Sequence, residues 1–150
     1  MSERVVYLDS SVIVKRYVEE PGSDRTREIF RGAYSGEHRL SYSIWNVGEV
    51  LGILDRARSQ NRIEPEDYTV ARARFVSETR RMDRVGLALV IPVRTKLLVE
   101  TWDLVEKHHI YEADALQIAT AEHINAAEFI TTDRALHEVA AALGMNSTYL

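Results

Sequence analysis

Short apolar runs alternate with helix-length stretches along this chain, and that alternation restricts the fold more than any other feature. Residues 4–8 (RVVYL), 39–43 (RLSYS), 88–93 (ALVIPV) and 128–131 (EFIT) read as strands, the first suited to burial on both faces of a sheet. Helices are expected over 12–20, 23–34, 44–60, 65–84, 95–108, 113–124 and 133–143, with 147–150 as a last strand. Pro21-Gly22 breaks the first helix, Pro65 suits the first turn of the long polar one, and Gly144 closes the last. Ser10 or Ser11 is expected to cap the first helix. Strands joined through helices imply right-handed crossovers, and so an α/β fold with a mostly parallel sheet covered by helices on both faces.

With 150 residues and no linker, repeat or low-complexity tract, the chain is expected to form one domain over 1–150. A composition 45% hydrophobic and 28% charged is that of a globular protein. No stretch approaches the ~20 apolar residues of a membrane helix, and the N-terminus lacks the pattern of a secretory signal, so the expectation is a cytoplasmic protein without membrane partners. The absence of cysteine excludes disulfides, thiol nucleophiles and thiolate zinc sites, so any metal must be held by oxygen or imidazole. The net charge of −4 removes general attraction to nucleic acid, although arginines gather between residues 56 and 84.

Four carboxylates lie in apolar surroundings. In an open parallel sheet, ligands bind beyond the carboxyl ends of strands where the winding reverses. Asp9 and Asp133 each follow an expected strand, in the related segments YLDSS and FITTDRAL. Either could be an ordinary helix cap. Glu49 lies in the helix IWNVGEVLGIL, on a face with no other charge; it is either exposed or buried at a cost that demands a partner. Gly48 and Gly52 weaken that helix, which suggests that something approaches its backbone closely. Asp114 opens the apolar helix DALQIATA, where the helix dipole alone would favour an acid; Glu112 fits the same cap. If Asp9, Glu49, Asp114 and Asp133 converge, their repulsion demands a cation. Oxygen-only ligands then suit Mg²⁺ or Mn²⁺, and phosphoryl transfer is a common task of such a site.

These segments, in this order, resemble the PIN-domain ribonucleases, and among them the VapC-type toxins of toxin–antitoxin pairs. YLDSSVIVKRYVEEPGS resembles the family's opening, with its first acid at Asp9; Glu49 matches the helical second acid. EADALQIATA places the third acid at Asp114, and TTDRAL places the fourth at Asp133 with Thr131 two residues before it. The resemblance runs from Tyr7 to Leu136. It implies a five-stranded sheet of order 3-2-1-4-5, an Mg²⁺-dependent endoribonuclease acting on RNA, frequent homodimerisation, and an antitoxin whose C-terminal segment covers the site. It also implies roles: Asp9 and Asp114 as principal metal ligands, Glu49 and Asp133 completing the acidic ring and orienting water, Ser11 and Thr131 holding loops and carboxylates.

Two other functions are compatible with the sequence. Asp9 after a strand also suits an aspartyl-phosphate phosphohydrolase, although Ser11 stands where those enzymes want a second acid. A non-catalytic binding module of the same fold is the other, although its signature is lost acids and all four are present. The histidines at 38, 108, 109, 123 and 137 lack metal-ligand spacing. Lys15 either balances the acids or is solvated, and the arginines of 56–84 form either a solvated face or a contact for RNA or antitoxin. Tyr68, Phe75 and Met82 make a stripe expected in the core or a dimer seam, and Trp45 and Trp102 are expected in the core.

Overall fold

The computed structural model describes residues 3–150; residues 1 and 2, part of the single-domain expectation, lie outside it. Five strands, β1 (Val5–Leu8), β2 (Arg39–Ser43), β3 (Ala88–Ile91), β4 (Glu128–Thr131) and β5 (Ser147–Tyr149), form one sheet of order β3-β2-β1-β4-β5. Every pairing is parallel, as expected when each crossover passes through a helix. Tyr7 stands opposite Ser41 on one side and Phe129 on the other, so β1 is central. The winding runs outward from β1 through β2 to β3, then returns to β4. The reversal falls between β1 and β4, where Asp9 N–H donates to the Ile130 carbonyl at 3.0 Å.

Side chains of β1 alternate between two cores. Val6 and Leu8 enter one with Phe30, Leu40, Tyr42 and Phe75. Tyr7 enters the other with Ile118, Phe129 and Leu136, its ring stacked on Phe129 at 5.6 Å. The first core is closed by α2 (Ser23–Tyr34), α3 (Ile44–Ser59) and α4 (Pro65–Val85). The second is closed by α6 (Glu112–His123) and α7 (Arg134–Ala142), with α5 (Thr95–His108) packed on α6 through Leu97 and Leu116.

The expected helix over 12–20 is shorter and starts earlier. α1 covers Ser10–Ile13 and tightens into a 3₁₀ turn at Val14–Arg16. Val12, Ile13, Val14 and Tyr17 are all buried, and consecutive apolar residues of this kind point around the whole helix, so it is a short plug inside the core rather than an amphipathic surface helix. Pro21 also drives Glu20 away from helical backbone. Neither serine caps it. Asp9 does, its carboxylate accepting from Ser10 N–H, because a charged oxygen is the stronger acceptor.

Other expectations are met or corrected locally. Phe75 and Met82 are fully buried, and Tyr68 packs beside them under the Arg58 guanidinium, so the stripe is core. Trp45 and Trp102 are not core aromatics: both are at least half exposed. The core aromatic positions are taken by Tyr7, Tyr42, Phe30, Phe75 and Phe129, which lie on strands or deeper in helices. His108 and His109 end α5, with His109 in the left-handed region.

A single acid ties α4 to the elements that follow β1. Glu78 accepts from Arg16 through both oxygens at 3.0 Å, and from Tyr17 and Tyr34 at 2.8 and 2.7 Å. Burial pushes its carboxyl up, but the hydrogen bonds from Arg16, Tyr34 and Tyr17 outweigh burial and hold it at about 2, against 4.5 ordinarily. A depressed carboxyl stabilises the fold above its unfolded pKa, and that contribution is lost as pH falls from about 4.5 towards about 2. Glu78→Gln should therefore destabilise by about 2 kcal/mol at pH 7, and urea melts should show the gap to wild type shrinking at pH 3.

Candidate functional site

The carboxyl ends of β1, β2 and β4 converge, and the acids singled out in the sequence gather around them. Asp9 follows β1 and caps α1. Its Oδ1 accepts from Ser10 N–H at 2.7 Å, and its Oδ2 accepts from the hydroxyls of Ser11 at 3.1 Å and Thr131 at 2.8 Å. The Thr131 hydroxyl oxygen also accepts from Asp133 N–H at 3.0 Å, so one side chain joins two of the acidic loops. Asp133 caps α7 through Leu136 N–H at 3.1 Å. The cap reading of both aspartates thus describes their local structure: both oxygens of Asp9 accept hydrogen bonds, while Asp133 accepts through Oδ1 alone among the described residues.

Glu49 projects from α3, which begins directly at the end of β2. Ser43 caps that helix and Asn46 returns the bond to Ser43 N–H, a capping box that sets the angle of the helix leaving the sheet. Glu49 Oε1 accepts from Ser10 Oγ at 2.7 Å and Gln117 Nε2 at 3.1 Å, with Asn46 Nδ2 at 3.3 Å. Asp114 stands in the first turn of α6, half-buried.

The pKa shifts report that the four acids share one field. Burial raises Asp114, and the charges of Asp133, Asp9 and Glu49 raise it further, to about 6 against 3.8 ordinarily. Asp9 is raised by burial and by Asp133, against the pull of its three hydrogen bonds. Glu49 is raised by burial and by Asp9, against the bond from Ser10. Each charge acting materially on these three carboxyls is another member of the set. Lys15 does not balance them: its ammonium is held by Glu20 at 3.0 Å and the Pro21 carbonyl at 2.7 Å. Glu112 lies outside the set, accepting from the Thr101 hydroxyl. Among the described residues no group of three His, Asp or Glu side chains is arranged to hold a metal ion as it stands. The four acids supply oxygen donors of one charge, the donor type that hard cations take.

Beneath Glu49 lies a polar network that the sequence reading passed over. Asn46 and Gln117 are fully buried, and Tyr7, Ser10 and Ser43 join them. Asn46 Nδ2 donates to Ser10 Oγ and Gln117 Oε1, both at 2.8 Å. The Tyr7 hydroxyl lies 2.7 Å from Gln117 Oε1 and 2.9 Å from Asn46 Oδ1, and its one proton serves one of them at a time. Burial holds the Tyr7 phenol well above its usual range, so it stays a donor. A signal for this network was present: Asn46 precedes Glu49 by three and Gln117 follows Asp114 by three, which puts each amide on the face of its acid.

The expected close approach to Gly48 and Gly52 is not made within the chain. A Cβ at Gly48 would meet nothing within 4 Å, and one at Gly52 only the Arg56 guanidinium at 3.5 Å. Both line an open groove of about 510 Å³ that also takes in Ser10, Trp45, Glu49 and Arg56. In a helix interior each glycine costs about 1 kcal/mol relative to alanine. None of the five histidines enters the carboxylate ring's hydrogen bonds; His38 donates to the Ile29 carbonyl, and His137 pairs with Ser147.

Comparison with known proteins agrees with this architecture. No curated protein matches by sequence. Among solved structures, the VapC20 toxin of Mycobacterium tuberculosis, described as cleaving the sarcin–ricin loop, superposes with a TM-score of 0.64 at 16% identity, covering 93% of this chain and 95% of that one. PAE2754 of Pyrobaculum aerophilum gives 0.61 at 15% identity, with 91% and 84% covered. FitAcB of Neisseria gonorrhoeae gives 0.60 at 16%, with 95% of each chain covered. These likenesses are of fold. The family model of the PIN domain matches residues 6–142, and the chain belongs to the PIN-domain family.

Proposed function

We propose that this protein is a divalent-metal-dependent endoribonuclease and the toxin of a toxin–antitoxin pair. The observation that carries the reading is the placing of Asp9, Glu49, Asp114 and Asp133 within one another's field in partly buried positions, where burial first and the charges of the other three acids second raise Asp114 to about 6. A fold has no structural use for such a ring, and a dication removes the repulsion. Asp9 and Asp114 would be the principal ligands of Mg²⁺ or Mn²⁺, with Glu49 and Asp133 completing the ring. Bound there, the ion supplies a more acidic water and positive charge for the phosphate oxygens.

The chain's own groups divide the remaining work. Ser11 and Thr131 fix Asp9 Oδ2, so its ligand geometry does not depend on substrate. Glu49 is held through Oε1, which leaves Oε2 to take a proton from the attacking water, and its raised pKa suits that task. The fold shared with a toxin that cleaves the sarcin–ricin loop supports RNA as substrate, and the same neighbours support an antitoxin partner. A homodimer in the cytoplasm is part of this reading; no helix of the described residues is long and apolar enough to cross a membrane. Asp9 accepts three protein hydrogen bonds, which suits a fixed ligand better than the nucleophile of an aspartyl-phosphate enzyme.

Two outcomes are expected. Asp9→Asn should retain the wild-type fold by circular dichroism yet lose RNA cleavage by on the order of 100-fold or more, the loss typical of a disturbed metal centre; EDTA should stop the wild type. A phosphoryl adduct trapped on Asp9 would instead favour the phosphohydrolase. The second outcome concerns stability without activity. A raised carboxyl weakens the fold as pH climbs through its range, here from 3.8 to about 6. Asp114→Asn should therefore raise the thermal midpoint of the metal-free protein at pH 7 but not at pH 3.5, and Mg²⁺ should raise the midpoint of wild type more than that of the variant.

A further inference from the structure

The two glycines of α3 have no purpose inside this chain. Neither stands at positive φ, and no neighbouring atom forbids a side chain at Gly48. What they do is keep the floor of the groove bare at Gly48, beside the acids, and leave room over Gly52 for the Arg56 guanidinium. Ser10 and Glu49 line that groove, Ile44 and Trp45 form an exposed apolar lip at the start of α3, and the Arg56 guanidinium lies over Gly52. Arg56 lies two helical turns beyond Glu49 and makes no side-chain ion pair among the described residues, whereas Arg58 is bound to Asp55.

An aromatic plane, a bare backbone floor and a free guanidinium match the three parts of a nucleotide: base, sugar and phosphate. The volume lies within the range of small-molecule sites. An apolar protein segment is a poorer occupant, because it would seal Glu49 away from water with no partner for its free oxygen. We propose that this groove is a single-stranded RNA subsite. It seats the nucleotide neighbouring the scissile phosphodiester, with the base stacked on Trp45, the sugar over Gly48, and the next phosphate on Arg56 beside Gly52. The inference rests on the endoribonuclease reading, to which it adds how substrate is held against an acidic ring that repels phosphate.

The test uses the full chain and a labelled single-stranded RNA of about 12 nucleotides, within the span such grooves cover. Binding is followed by anisotropy in an Asp9→Asn, Trp102→Phe background, where Trp45 is the remaining tryptophan and its quenching reports stacking. Saturable quenching is expected. Trp45→Ala and Gly48→Leu should each weaken binding by about tenfold or more, and Trp45→Phe should restore most of it. Gly48→Leu should melt no lower than its parent, since it fills only the groove. In the chain that retains Asp9, these losses should appear in KM more than in kcat. Variants that bind and cleave as their parents do would overturn the subsite while leaving the endoribonuclease reading intact. RNA that quenches Trp45 yet is never cleaved by the Asp9 chain would support the subsite and sink that reading; RNA neither bound nor cleaved sinks both. A Gly48→Leu protein that keeps RNA affinity but changes mass in sedimentation would show an interface between copies instead. Should Gly48→Leu fail to fold, the Trp45 pair decides alone.

Discussion

The parallel pairing of β1 with β4, across the point where the winding reverses, is the constraint on which the rest of the molecule depends. It sets Leu8 beside Ile130, so the residues that leave the two strands, Asp9 and Asp133, emerge together. Thr131 then bridges them, its hydroxyl donating to one acid and accepting from the backbone of the other. Without that register the two loops would be separate helix caps. With it they are adjacent charges, and α3 and α6 bring two more to the same end of the sheet.

Gathering four carboxylates works against folding, and the structure offsets the strain by hydrogen bonding rather than by ion pairing. Cations are spent elsewhere: Arg16 on Glu78, Lys15 on Glu20. The acids receive neutral donors instead, hydroxyls at Asp9 and amides at Glu49. Neutral donors orient a carboxylate without cancelling its charge, so the acids keep their negative field. The buried Tyr7, Asn46 and Gln117 do the orienting from below, where low dielectric strengthens each bond and makes an unpaired group costly.

Much of this was legible along the chain. Apolar runs punctuated by proline and glycine marked the strands, and because each is followed by a helix, parallel pairing followed from connection geometry alone. Asp9, Glu49, Asp114 and Asp133 stood out because an acid inside apolar sequence is expensive. The helix after β1 was harder, since its burial on all sides erases the periodicity by which helices are recognised. Trp45 and Trp102 were misplaced because an aromatic residue carries the same hydrophobic signal on a core face and on an exposed lip. Asn46 and Gln117 were passed over because neutral amides are common on helix surfaces, and only burial makes them significant.

By itself, then, the amino-acid sequence determined the α/β class, the order of its elements, the oxygen or imidazole ligation open to a chain without cysteine, and the identity of the four acids set in apolar sequence. These are local or compositional properties, set by periodicity, turn chemistry and the cost of charge in apolar surroundings. The tertiary structure decided which groups share a field, which amides support Glu49, where Lys15 turns, and that the glycines of α3 face an open groove. Those depend on separations through space between residues tens of positions apart, which no local pattern encodes and only the packed sheet brings together.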